Sequence, residues 1–95
     1  HAYNDMVQAL DGEFVNYFAI FSPLERDILI SLSTKNKQAN EIAREVRNKL
    51  QNISKTLTRL VNYGVVERPL PGRYRLADAV FSDWLRKRFS TSLGF

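Results

Sequence analysis

Gln51-Asn52-Ile53-Ser54-Lys55-Thr56-Leu57-Thr58-Arg59-Leu60-Val61-Asn62-Tyr63-Gly64-Val65-Val66 is the stretch that decides how the other residues are read. Ile53, Leu57, Leu60 and Val61 recur at spacings of three and four, so the segment is a helix with one buried stripe. At roughly 100° per residue the opposite face collects Asn48, Gln51, Asn52, Lys55, Arg59 and Asn62. Amides and cations donate to phosphates and base edges, and no carboxylate interrupts the set. Gly64 predicts the stop, because glycine adopts left-handed dihedrals at little cost. Val65 and Val66 then open an extended segment. A polar, cationic helix that ends at glycine and runs into a strand is the outline of a helix that reads nucleic acid. It is equally the outline of a surface helix with a solvated face.

Upstream, Asn40 is the expected cap of a short helix over Glu41–Val46, with Ile42, Ala43 and Val46 inward. Ala43 is small where two helices would cross closely. Arg47-Asn48-Lys49 is the turn, and its length suits a two-helix unit whose second helix starts near Lys49 or Leu50. Before it, Thr34-Lys35-Asn36-Lys37 reads as a polar loop and Gln38-Ala39 as briefly extended. Downstream, Val65–Pro69 and Arg73–Leu76 are expected strands, and Leu70-Pro71-Gly72 between them has hairpin-turn chemistry. Arg73 stands at the tip, flanked by Arg68 and Arg75. Such a basic hairpin suits a minor groove or a phosphate backbone. Edge strands also carry cations to discourage sheet pairing, and the two readings are compatible.

Ala77–Phe89 is the expected last helix, with Asp78 in its first turn and Arg86-Lys87-Arg88 in its last, both favourable to the helix dipole. Val80, Phe81, Trp84, Leu85 and Phe89 line its apolar side. Residues 90–95 read as a tail. At the other end, Ser22-Pro23-Leu24-Glu25 is a strong helix start, with Leu24, Ile28, Leu29 and Leu32 buried. Residues 4–20 read as a first helix capped by Asn4 or Asp5, with a weak spot at Gly12. Its aromatics, Phe14, Tyr17 and Phe18 with Phe21 beyond, call for a large partner: its own core, a second copy or a neighbouring domain. The expected organisation is therefore a helix over 1–21, a main domain over 22–89 and a tail over 90–95.

Ninety-five residues allow one domain with a modest core. No apolar run approaches the roughly 20 residues that span a bilayer, so no membrane is expected. There is no cysteine, which excludes disulfides and zinc ribbons and is compatible with a cytoplasmic protein. The opening His1-Ala2-Tyr3-Asn4-Asp5 resembles neither a signal peptide nor a natural start, and reads as a fragment of a longer protein or a trimmed tag. The net charge of +4 is unevenly placed. Residues 1–33 hold five acids against Arg26 alone, summing to −4, and residues 34–95 hold thirteen Lys/Arg against five acids, summing to +8. That asymmetry favours a polyanionic partner. The single histidine is His1, and no paired carboxylates, phosphate-cradling glycine loop or activated nucleophile is visible, so neither catalysis nor a cofactor is expected.

The order of three helices, a polar helix, a hairpin and a last helix resembles the winged helix-turn-helix fold, mainly α with a small hairpin. Ile53–Arg68 resembles the MarR-type pattern, in which the recognition helix ends "RL-x-x-x-G-hydrophobic-V-x-R". Gly72-Arg73-Tyr74-Arg75-Leu76-Ala77-Asp78-Ala79-Val80-Phe81-Ser82-Asp83-Trp84-Leu85-Arg86 resembles the end of archaeal AAA-type (STAND-class) ATPases, where a winged-helix domain follows the motor. Ser22-Pro23-Leu24-Glu25-Arg26 also suits that domain's opening helix, so the resemblance runs from about Ser22 to Phe89. It implies a module separated from its ATPase. This chain has no G-x-x-x-x-G-K-[ST] loop, so any nucleotide site lies elsewhere.

Two functions are compatible with these residues. In the first, the module binds double-stranded DNA with helix 48–63 in the major groove and hairpin 65–76 as a wing. Asn48, Lys49, Gln51, Asn52, Lys55 and Arg59 would then meet bases or phosphates, and Arg68, Arg73 and Arg75 the backbone or minor groove. In the second, it is a protein-contact module that docks on its ATPase domain or forms a homodimer through the aromatic first helix.

Overall fold

The computed structural model describes residues 11–89. Among them the elements run α1 (Asp11–Ala19), α2 (Pro23–Leu32), β1 (Lys37–Gln38), α3 (Ala39–Val46), α4 (Leu50–Asn62), β2 (Val66–Leu70), β3 (Arg73–Leu76) and α5 (Ala79–Phe89). The strands form one antiparallel sheet in the order β1-β3-β2. This is the expected α+β arrangement, mainly helical and winged-helix-like. The sheet has a third strand that the hairpin alone did not announce. The caps expected at Asn4 or Asp5, and the tail over 90–95, lie outside the described residues.

Local chemistry sets most boundaries. The Ser22 hydroxyl accepts from the Glu25 amide at 3.2 Å, and the Glu25 carboxylate accepts from the Ser22 amide at 2.7 Å. This reciprocal box, with Pro23 at the first helical position, starts α2 as read. α3 starts earlier than expected. Its cap is Gln38, whose amide donates to Glu41 at 3.0 Å, and Asn40 lies within the first turn. α5 starts later, because the Asp78 carboxylate accepts from the amides of Val80 and Phe81. Asp78 is thus the cap of α5, not part of its first turn. α4 closes at Gly64, with φ of 79°. The Gly64 amide donates to the Val61 carbonyl at 3.0 Å and the Val65 amide to the Leu60 carbonyl at 3.1 Å. Both bonds of a Schellman motif are present, so the last carbonyls of α4 are satisfied where the chain turns into β2.

The core lies where α2, α3, α4, the sheet and α5 meet. Ile28, Leu29, Ile42, Ile53, Leu57, Leu60 and Leu85 are fully buried there. Each contributes about 1.5–3 kcal/mol through removal of apolar surface from water. Of the stripe read from α4, Ile53, Leu57 and Leu60 are buried and Val61 is half-buried. α1 packs on α5 of the same chain. The Phe14 ring lies 5.4 Å from Phe81 and 5.5 Å from Trp84, and Phe18 lies 5.3 Å from Phe89. Trp84, buried as expected, donates its indole N–H to Asp11 at 2.7 Å.

The segment read as a polar loop holds an internal ion. Lys37 is 3% exposed, and its Nζ reaches the Ser31 carbonyl at 2.5 Å, the Thr34 hydroxyl at 2.9 Å, Glu45 at 2.7 Å and the Ser31 hydroxyl at 3.1 Å. An ammonium has three protons, and these oxygens absorb all of them, which offsets the cost of leaving water. Lys37 is also a strand residue paired with Tyr74. Removing the ammonium strands Glu45 and the end of α2 together. Lys37→Ala is therefore expected to cost about 3 kcal/mol, read as a lowered urea midpoint. A change below about 0.5 kcal/mol, the scale of an ordinary surface substitution, would refute this role.

Glu25 gives stability a pH dependence. Burial pushes its carboxyl up, but the Ser22 amide, the Arg59 guanidinium and the Ser22 hydroxyl outweigh burial and hold it below its ordinary 4.5. Glu41 is also held low, first by the Gln38 amide, which outweighs desolvation. A depressed carboxyl stabilises the fold above its unfolded value, and the contribution is lost as pH falls through the folded value. Melting temperature should thus fall as pH drops below 4.5. Glu25→Gln should cost about 1 kcal/mol at pH 7 and make that acid decline shallower. An unchanged acid decline in the variant would remove Glu25 from the account.

Candidate nucleic-acid interface

α4 is the only helix of the described chain without an acidic residue. Its buried side is Ile53, Thr56, Leu57 and Leu60, which fixes the outward side as Gln51, Asn52, Ser54, Lys55, Thr58, Arg59 and Asn62. Gln51, Lys55 and Arg59 follow one another at four-residue spacing and form one row along the helix. Thr58 bonds back to the Ser54 carbonyl at 3.0 Å. Lys55 makes no ion pair among the described residues, so its ammonium is open to an anion.

Asn48 is not on the helix. It sits in the turn, where Arg47 is left-handed at φ 58° and the Asn48 amide donates to the Ala43 carbonyl at 3.0 Å. The Asn48 side-chain carbonyl accepts from the Lys49 amide at 2.8 Å and from the Asn52 side-chain amide at 2.9 Å. One proton of the Asn52 amide is thus engaged in holding the turn. Lys49 is the cap residue of α4, and its side chain forms no cap bond. Arg47 is a cation that the sequence reading passed over. It is exposed beside Lys49 in the same tight turn. Its signal was its place in the turn, where a side chain must point outward.

Arg59 differs from Lys55. Its Nε donates to Glu25 at 3.2 Å, and the carboxylate comes from the start of α2. A carboxylate therefore does reach the polar face, from 34 residues away. The arginine side chain is still 48% exposed, so the guanidinium is anchored at one edge and open at the other.

The hairpin arginines are each engaged. Arg68 lies over the Tyr74 ring at 5.6 Å. Arg73 stands 4.0 Å from Glu41, and Arg75 pairs across the strands with Glu67. β3 is the middle strand, so protection of a free edge does not account for Arg73, which β1 covers at Gln38. Exposed ion pairs of this kind contribute little and are exchangeable for another anion. The cations of α5 are tied inward. Arg86 and Lys87 pair with the buried Asp83, and Arg88 lies over Trp84 and reaches Asp11 at 3.3 Å.

A second surface feature is apolar. Tyr17, Ile20, Phe21, Glu25, Tyr63 and Val65 line a hollow between the ends of α1 and α4. Ile20 is 74% exposed and Tyr63 62% exposed. Burial, and then the charge of Asp78, raises the Tyr17 phenol above its ordinary value. Among the described residues no group of three or more His, Cys, Asp and Glu is placed to hold a metal ion, and no helix is long and apolar enough to cross a membrane. No family model, no curated protein and no solved structure matches the chain.

Proposed function

We propose that this chain is a duplex-DNA-binding module, with α4 in the major groove and the β2–β3 hairpin as a wing. The observation that carries the reading is the exposed face of α4, which has amides, hydroxyls and cations and no acid of its own. Lys49 and Lys55 would meet phosphates, with Gln51, Asn52 and Arg59 nearest the base edges. Asn48 would act through the turn it braces. The +8 half of the chain, residues 34–95, contains both α4 and the hairpin. The likeness of Gly72–Arg86 to archaeal AAA-type ATPases supports a place beside such a motor, in the cytoplasm, as part of the same proposal.

A protein-contact role has one observation in its favour, the apolar hollow with Ile20 and Tyr63 exposed. Its occupant would be an ATPase domain or a second copy. Phe18 is a poor probe of this reading, because its ring is held among Phe81, Trp84 and Phe89. Ile20 is the better one.

The test is fluorescence anisotropy of a labelled generic duplex across a salt series. Affinity should fall steeply with salt, as counterion release requires. Lys55→Ala should weaken binding several-fold and reduce the salt slope by about 0.9, the loss of one phosphate contact. No binding at low salt would refute the DNA reading. Ile20→Ser should leave duplex binding unchanged. If instead it dissolves a dimer seen by sedimentation equilibrium, the hollow is a self-association surface.

A further inference from the structure

We propose that Leu70 is an apolar wedge that enters the minor groove and opens a base step, so that the module binds deformable steps in preference to stiff ones. This rests on the duplex-DNA reading above.

The argument begins with strand register. Val66 pairs with Leu76 and Glu67 with Arg75, but Leu70 pairs with Arg73. Two residues, Arg68 and Pro69, therefore stand opposite the single Tyr74, which is a β-bulge. Side chains alternate along a strand, and directly opposed residues share a face. Val66 and Leu76 are buried, so they mark the inner face, and the Glu67–Arg75 ion pair marks the outer one. Simple alternation would carry Leu70 to the inner face with Val66. The extra residue reverses its phase and puts it on the outer face beside Arg73. β1 agrees, since Gln38, the other partner of Arg73, is exposed while Lys37, opposite Tyr74, is buried.

The result is a leucine 62% exposed at the head of a hairpin. A lone exposed leucine ordinarily means nothing. Here three further facts give it a direction. Pro69 and Pro71 on either side fix their own φ, so the tip is stiff. Gly72, at φ 77°, closes the turn tightly. Arg68, over the Tyr74 ring, and Arg73, 4.0 Å from Glu41, flank the tip, and the hairpin itself carries no acid between Glu67 and Asp78. A rigid apolar point between cations is complementary to a groove walled by phosphates and floored by base edges. Leucine is among the side chains that unstack a step from the minor groove and kink the duplex by about 20–90°. Pyrimidine–purine steps such as TA yield most easily, and A-tracts resist.

The experiment uses the 95-residue chain and two duplexes that differ only in a central TA or AA step. Each duplex carries 2-aminopurine in place of the adenine at the second position of that step, and end-labelled copies report bending by energy transfer. The wild-type chain should brighten the 2-aminopurine several-fold and shorten the end-to-end distance. It should also bind the TA duplex several-fold more tightly than the AA duplex. Leu70→Ala should still bind, with the fluorescence and bending signals lost and the two affinities equal. Lys55→Ala, driven to saturation, should lose affinity and keep both signals. Leu70 is exposed, so circular dichroism should show an unchanged fold. Binding by the wild type without either signal, or signals that survive Leu70→Ala, would overturn the wedge and leave the DNA reading standing. Absence of duplex binding at any salt would overturn both.

Discussion

The Lys37 ammonium ties together three consecutive parts of the chain and the sheet. Its oxygens come from the C-terminal end of α2, the loop after it and α3, while its own backbone is a strand of the sheet. The ion thus adds a polar tie from α2 and α3 to β1, beside the apolar core that Val66 and Leu76 share with the helices. β1 is too short to hold itself against β3 by pairing alone, and the ion pair supplies what two residues of ladder cannot. With β1 fixed, Gln38 is in place to cap α3, and α3 in turn leads into the turn that aims α4. The orientation of the polar helix therefore depends on a cation that never faces solvent.

The remaining cations divide by what they touch. Those of α5 are bound to Asp83, Asp11 and Trp84 and hold α1 and the loop after α2. Arg59 meets the buried Glu25, Arg73 and Arg75 meet the partly exposed Glu41 and Glu67, and Arg68 lies over Tyr74. Arg47, Lys49 and Lys55 have no ion pair among the described residues. Net charge alone would treat all of these as one field. The geometry instead grades them, from structural to exchangeable to open, along the path from α5 to the tight turn before α4.

Local signals were legible in the chain, and long-range ones were not. Ser22-Pro23-Leu24-Glu25 specified its own helix start because both halves of the box lie within four residues. Gly64 specified its stop for the same reason, and Arg73–Leu76 is the strand that was read. Lys37 was hidden because a two-residue strand has no alternation to display and lysine ordinarily marks solvent. Asn40 is a better cap by type than Gln38, yet pairing of Gln38 with Arg73 fixes the extended backbone and starts the helix two residues earlier. The face of α4 was read from periodicity alone, but the partners of its arginine and of the hairpin arginines come from α2, α3 and β2. The bulge that turns Leu70 outward did leave a mark: in Val66-Glu67-Arg68-Pro69-Leu70 the alternation breaks at Arg68, and Pro69 is a residue that strands tolerate at bulges.

The Schellman closure at Gly64 has a mechanical consequence. The Val65 amide is held by Leu60, and the Val65 carbonyl by the amide of Ala77 at 3.0 Å. One residue thereby clamps the end of α4 to both legs of the hairpin, with no slack between them. Helix and hairpin form a fixed caliper, whose jaws keep one spacing and one angle whatever they grip. A change of angle between helix and hairpin would have to break one of the two hydrogen bonds at Val65.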